Sequence, residues 1–174
     1  MLAVVHVETD DHRWQVRDLF WEYLVWANAQ LEREVGISFD IRQMLDDDMV
    51  TLHKFAPPHG RLLLADAQGA LAGCACLRTT GPRVGEIKRM YVRPPYRRKG
   101  VGRALVAGLI DEARQLGCHT LRLDSARFMQ DAQALYRALG FSLIPPYTES
   151  EIPEAFRVHW VFMELPLDRQ GMKA

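Results

Sequence analysis

The stretch Tyr96–Leu105, YRRKGVGRAL, sets two glycines one residue apart, behind three consecutive cations and ahead of a helical pattern. Glycine permits backbone conformations and close approaches that a side chain forbids, and the first turn of a helix leaves N–H groups without partners. Val101, Leu105, Leu109 and Ala113 step by four and Gly117 follows Leu116 as a stop, so the spacing predicts a helix opened by the glycines. Upstream, GEIKRMYV over Gly85–Val92 reads as a strand that Pro94 and Pro95 end. A strand, a glycine loop and a helix start together form an anion site, to which the helix dipole adds about half a positive charge. Gly100 and Gly102 remove side chains where an oxygen must approach backbone, and Arg97, Arg98, Lys99 and Arg103 add attraction. The loop lacks the Gly-Lys-Ser/Thr ending that places magnesium and the three-glycine spacing of a dinucleotide fold. The expected guest is a pyrophosphate bound without metal.

Working outward, LAVVHV near the start reads as a first strand rather than a signal peptide. Thr9, Asp10 and Asp11 supply a cap and an acidic first turn for a long helix whose apolar positions are Val16, Phe20, Tyr23, Ala27 and Leu31, ending at Gly36. Trp14, Trp21 and Val25 form a second stripe, expected to be covered by core, the alternative being a ligand-side wall. A second helix is expected from about Asp40 to Lys54, closed by Pro57-Pro58, and a hairpin turns at Ala67–Gly69. After the glycine helix come the strand HTLRLDS, a helix through Ala132, Leu135, Tyr136 and Leu139, a short strand at Phe141, a loop from Pro145 to Phe156, and the strand VHWVFMELPL. Helical crossovers imply parallel pairing and the hairpins antiparallel pairing, so the fold class is α/β with a mixed sheet flanked by helices. With no linker, repeat or low-complexity segment, residues 1–174 read as a single domain.

Balanced charge, 22 basic against 22 acidic residues, argues against a general nucleic-acid or membrane-surface binder. Between Arg78 and Arg103, however, nine Lys or Arg face the single acid Glu86, which suggests a polyanionic ligand or a solvated basic face. Cys74, Cys76 and Cys118 read as core thiols, and none of the six histidines sits at ligand spacing, so no metal is expected. No segment is apolar enough to span a membrane, and the expected location is the cytoplasm.

Arg97-x-x-Gly100-x-Gly102-x-Ala104, with EIKRMYV before it and ALYRALGF after it, resembles the GCN5-related N-acetyltransferase (GNAT) family from about Glu86 to Phe141. The resemblance implies that acetyl-CoA is the co-substrate, that Arg97, Arg98, Lys99, Gly100, Val101, Gly102, Arg103 and Ala104 hold its diphosphate, and that parallel central strands splay. Met90, Tyr91 and Val92 would then pair through their backbone with the pantetheine arm, the alternative being an ordinary buried strand. A backbone N–H near Met90 or Tyr91 would polarise the thioester carbonyl. By the same resemblance Tyr136 protonates the departing thiolate; the alternative is a packed helix residue.

Glu86 lies eleven residues before Arg97, like the general base of some members, or it forms a salt bridge to Lys88, Arg89 or another cation. A water chain could serve as base instead. One departure is Met129, where many members carry Asn seven residues before the tyrosine. Asp124 would contribute polar contacts or a cap. Asp46-Asp47-Asp48 reads as a solvated face or as a lure for a cationic acceptor. The loop with Tyr147, Glu149 and Phe156 lies near the acceptor or is a plain connection.

The implied reaction is acetyl transfer to a primary amine, on a small molecule, peptide or protein, by direct attack in a ternary complex. A homodimer is what family analogy adds. The competing readings are a non-catalytic acyl-CoA sensor and, with less support, a nucleic-acid binder.

Overall fold

A computed structural model describes residues 1–167. Strand β1 (Leu2–His6) leads into α1 (Asp10–Val35) and α2 (Ile41–Val50). Then come β2 (Gly60–Ala67), β3 (Ala70–Gly81), β4 (Val84–Val92), α3 (Val101–Gln115), β5 (Thr120–Ala126), α4 (Gln130–Ala138), β6 (Ser142–Ile144) and β7 (Trp160–Pro166). The strands form one seven-stranded sheet in the order β1-β2-β3-β4-β5-β7-β6, mixed because β4 and β5 run parallel while the other neighbours are antiparallel.

Two layers cover the sheet. On one face Val101, Leu105, Val106, Leu109, Ile110 and Ala113 of α3 pack with Ile87, Leu121, Leu123 and Tyr136. On the other, Val16, Leu19, Phe20 and Leu24 of α1 and Leu45 of α2 pack with Leu62, Leu64, Cys74, Cys76 and Tyr91. The three thiols are free and buried. A third cluster, with Leu31, Tyr147, Trp160 and Phe162, fills the space beside β5 and β7.

Thr9 caps α1 by accepting from the His12 N–H, and Gly36 ends it in the left-handed conformation. Trp21 packs half-buried against the second cluster, whereas Trp14, 65% exposed, and Val25 lie outside it, against the expectation of core cover. The reason is helical geometry: their stripe lies about half a turn from the one through Val16, Leu24 and Leu31, and one helix on a sheet buries only one face. The expected second helix divides into α2 and a 3-10 turn at Leu52–Phe55, and at the junction the Thr51 side chain bonds back to the Asp47 carbonyl at 2.8 Å. The run of three aspartates divides too. Asp46 and Asp47 are exposed, but Asp48 is buried.

Candidate active site

Pairing of β4 with β5 runs from Val84 opposite Thr120 only to Ile87 opposite Leu123, although β4 continues to Val92 and β5 to Ala126. Beyond Ile87 the two strands therefore part. The cause is on the other side of β4: Cys76 pairs with Lys88 and Cys74 with Tyr91, so Ala75 alone faces Arg89 and Met90. This is a bulge, with Arg89 at φ +49°, and it bends the strand away from β5. The bulge turns Arg89 to the α2 side, where its guanidinium donates to both oxygens of Asp48 at 2.6 and 3.0 Å. Past the bulge the Arg93 N–H bonds to the Ala72 carbonyl in β3. Strand alternation then points the peptide groups of Val92 and Met90 into the gap and that of Tyr91 toward β3.

At the mouth of the gap stands the start of α3. Arg98 and Gly100 take positive φ, +58° and +84°, which brings the loop sharply onto the helix. Among the described residues no side chain caps the helix, and Ala104 is the first N–H to find a carbonyl, that of Gly100. The N–H groups of Val101, Gly102 and Arg103 are thus offered outward, with exposed Arg98, Lys99 and Arg103 around them, while the Val101 side chain is buried. The two glycines have different duties. A Cβ at Gly100 would meet nothing within 4 Å, so glycine there serves the backbone angle. At Gly102 a Cβ would come within 3.0 Å of Met90 Cε and 3.1 Å of Leu135 Cδ2, so that glycine lets α3 lie close to the wall of the gap. Arg97 turns away from the helix start. Its Nε donates to the Val92 carbonyl at 2.9 Å, and its guanidinium lies 5.2 Å from the Trp26 ring and 5.9 Å from that of Tyr91. Trp26 also meets Phe128 at 5.8 Å, so it bridges the two sides of the opening.

Tyr136 is 5% exposed and stacks at an angle on Phe141, 5.7 Å away. Burial pushes its phenol above the ordinary value of 10, and the nearby Tyr23 and Asp124 push in the same direction, so the hydroxyl stays a proton donor through the neutral range. Met129 joins the apolar cluster of Leu31 and Trp160, and the polar contact in this turn comes from Gln133, whose Nε2 donates to the Ala126 carbonyl at 2.8 Å.

Glu86 is fully buried. Arg78 donates to its Oε2 through Nε at 3.0 Å and Nη2 at 2.7 Å, the Tyr147 hydroxyl donates to Oε1 at 3.1 Å, and Lys88 Nζ lies 3.4 Å from Oε1. Both oxygens are engaged, chiefly by Arg78, while Arg89 belongs to Asp48. Asp124 caps no helix; it faces Lys88 Nζ at 3.2 Å and the Ser150 hydroxyl at 3.4 Å. The loop at 145–153 turns Tyr147 inward and leaves Glu149 outside beside Arg122, 3.8 Å away. Sequence reasoning named Lys88 among the ion-pair partners open to Glu86, but it did not single out Arg78, and it missed Glu151 as a member of this network. An acid alone amid many cations was its one visible sign, and that does not say which cation it meets.

The sequence profile of the acetyltransferase (GNAT) family matches residues 13–141. An uncharacterized N-acetyltransferase of Schizosaccharomyces pombe is 34% identical over 139 residues, covering 79% of this chain and 82% of its own. Among solved structures, a GNAT-family acetyltransferase from Staphylococcus aureus superposes with a TM-score of 0.75 at 17% identity, over 97% of this chain and 100% of that one. The PaiA N-acetyltransferase of Thermoplasma acidophilum, solved in complex with coenzyme A, does so at 0.72 and 17%, over 95% and 99%. Sequence profile, relative and fold agree with the gap and the uncapped helix start: the chain belongs to the GNAT acetyltransferase family.

Proposed function

We propose that the chain transfers an acetyl group from acetyl-CoA to a primary amine by direct attack in a ternary complex. The observation that carries this is the gap between β4 and β5 beyond Ile87 and Leu123, with the uncapped start of α3 at its mouth and Tyr136 nearby. The N–H groups of Val101, Gly102 and Arg103, with Arg98 and Lys99, suit the diphosphate of the substrate. The Met90 peptide group and the Val92 N–H suit its extended arm, the Val92 carbonyl being held by Arg97. Tyr91 and Arg97 shape the opening rather than touch the phosphates, and Ala104 supplies the first N–H paired within the helix. That a protein with this fold was solved in complex with coenzyme A supports coenzyme A as the carrier.

In this reading the amine nitrogen attacks the thioester carbonyl carbon, whose oxygen takes hydrogen bonds from the gap-facing N–H of Met90 or Val92. The carbon–sulfur bond breaks with its electron pair on sulfur, and Tyr136 gives the thiolate a proton that solvent restores. The amine's proton leaves through water at the mouth. Glu86, held on both oxygens, acts as the anion that fixes Arg78 and Tyr147, the ion-pair alternative for this residue. Burial pushes the Cys74 thiol up to about 12 and that of Cys76 well above its ordinary value, which favours direct attack over an acyl-cysteine route.

Thiol release from acetyl-CoA over a panel of amines, beside calorimetry of coenzyme A binding, is the test. Amine-dependent release is expected. Tight binding with no release across the panel would replace this reading with the sensor reading, and no binding would remove both.

A further inference from the structure

The segment 145–153 crosses the gap as a strap, and one of its carboxylates points inward. Arg78 Nη1 donates to Glu151 Oε1 at 2.6 Å, and Lys54 Nζ lies 3.6 Å from the same oxygen; Lys88 Nζ is 3.6 Å from Oε2. The other acids of the cluster, Glu86 and Asp124, are buried on strands, at 0% and 9% side-chain exposure. Glu151 is 43% exposed and sits in the strap outside any helix or strand, between Pro146 and Pro153. It is the member that can leave. Arg78 commits Nε and Nη2 to Glu86 and only Nη1 to Glu151, so its departure would open a donor without breaking the buried pair.

With Glu151 in place, the charges of Arg78, Lys88 and Lys54 balance those of Glu86, Asp124 and Glu151. Without it one positive charge is left over, and the vacated position calls for an anion. On the far side of Lys88 stands Asp124, close enough to Tyr136 that its charge raises the phenol. Lys88 and Asp124 are the first residues past the last β4–β5 pair, so at the start of the gap an acid stands beside a cationic cradle filled by the protein's own carboxylate.

Resting on the acetyltransferase reading, we propose that Glu151 is a built-in stand-in for a carboxylate of the acceptor, and that the acceptor is an amine bearing a carboxylate, of the amino-acid class. The acceptor carboxylate takes the place of Glu151 on Arg78, Lys88 and Lys54 as the strap lifts, and its amino group faces Asp124 and Tyr136. Exchange of one carboxylate for another keeps every buried cation paired. An amine that lacks the carboxylate leaves the cradle to Glu151 or leaves it unpaired, and sites built to pair a polar group discriminate strongly against analogues without it. Burial alone would raise the Glu151 carboxyl, but Lys88, Arg78 and Lys54 outweigh it and hold the group down at about 2. The stand-in is therefore an anion throughout the physiological range.

The test compares L-leucine with isoamylamine and L-phenylalanine with phenethylamine in acetyl-CoA-dependent transfer. Wild type should favour at least one amino acid over its decarboxylated partner by tenfold or more in kcat/KM. Glu151→Ala should raise that ratio about tenfold, as expected for removing one charged competitor, and Lys54→Met should lower it. Taking a ratio within each protein removes any general loss from misfolding. A wild type that prefers the decarboxylated amines, or a ratio that Glu151→Ala does not move, overturns the proposal. If no acceptor is acetylated, L-leucine and L-phenylalanine are titrated by calorimetry into the protein loaded with coenzyme A. Tighter binding in Glu151→Ala would sustain the cradle while the transfer reading falls. No amino-acid binding in either protein, with coenzyme A bound, would overturn the cradle itself.

Discussion

Replacing Glu86 by Gln separates a base from an anchor. The carboxylate has no exposed surface and takes two donors from Arg78 at 2.7 and 3.0 Å and one from Tyr147 at 3.1 Å. Breaking a buried charged pair by removing one partner costs about 3–5 kcal/mol, because the remaining charge stays desolvated. Gln keeps the shape and one accepting oxygen, and Arg78 retains Glu151 at 2.6 Å, so a loss of about 2–4 kcal/mol is expected. In a chain of this length each kcal/mol moves the melting temperature by about 2–4 °C, which predicts a fall of about 5–15 °C. Thermal melts and a pH–rate series on the same preparations are the assay. The rate profile should keep its shape, with any loss of kcat uniform across pH. A melting temperature within about 2 °C of wild type, together with a rate defect of about 100-fold that fades as pH rises, would refute the anchor and make Glu86 the base.

Tyr136→Phe keeps the ring against Phe141 but deletes the proton donor, so single-turnover transfer should fall about 10²–10⁴-fold with coenzyme A affinity retained; equal rates would remove Tyr136 from the chemistry. Because burial raises that phenol, wild type should show no alkaline loss of rate below pH 10 that Tyr136→Phe abolishes, and a pH–rate comparison of the two checks it. Gly102→Val should push Met90 and Leu135 from the wall into the gap and weaken coenzyme A binding by tenfold or more, read by calorimetry, whereas an effect confined to melting temperature would mean that the wall is not the carrier's path. Glu151 has its carboxyl lowered in the folded protein, so its stabilising contribution is present above the ordinary value of 4.5 and is lost as pH falls toward about 2. Acid melts over that interval should therefore be shallower for Glu151→Gln than for wild type.

Much of this protein is written in local patterns. The period of four from Val101, the prolines behind Val92, the cap at Thr9 and the short hairpin turn depend on neighbours within a few residues, and those elements stand where the patterns put them. The glycine loop is local for the same reason: a helix start offers its N–H groups whatever lies elsewhere in the chain. Tertiary structure alone decided which charges meet. Glu86 took Arg78, eight residues away across a hairpin, while Arg89 reached Asp48 at a separation of 41 and Arg78 reached Glu151 at 73. Sequence proximity gives no preference among cations when the partners are chosen by strand register and by the bulge at Arg89. The bulge also decided the gap, since one extra residue in β4 reverses which side chains face α2 and bends the strand from β5. Trp14 and Val25 failed as core residues for a related reason. Periodicity marks an apolar face, but only the docking of α1 on the sheet determines which face is covered.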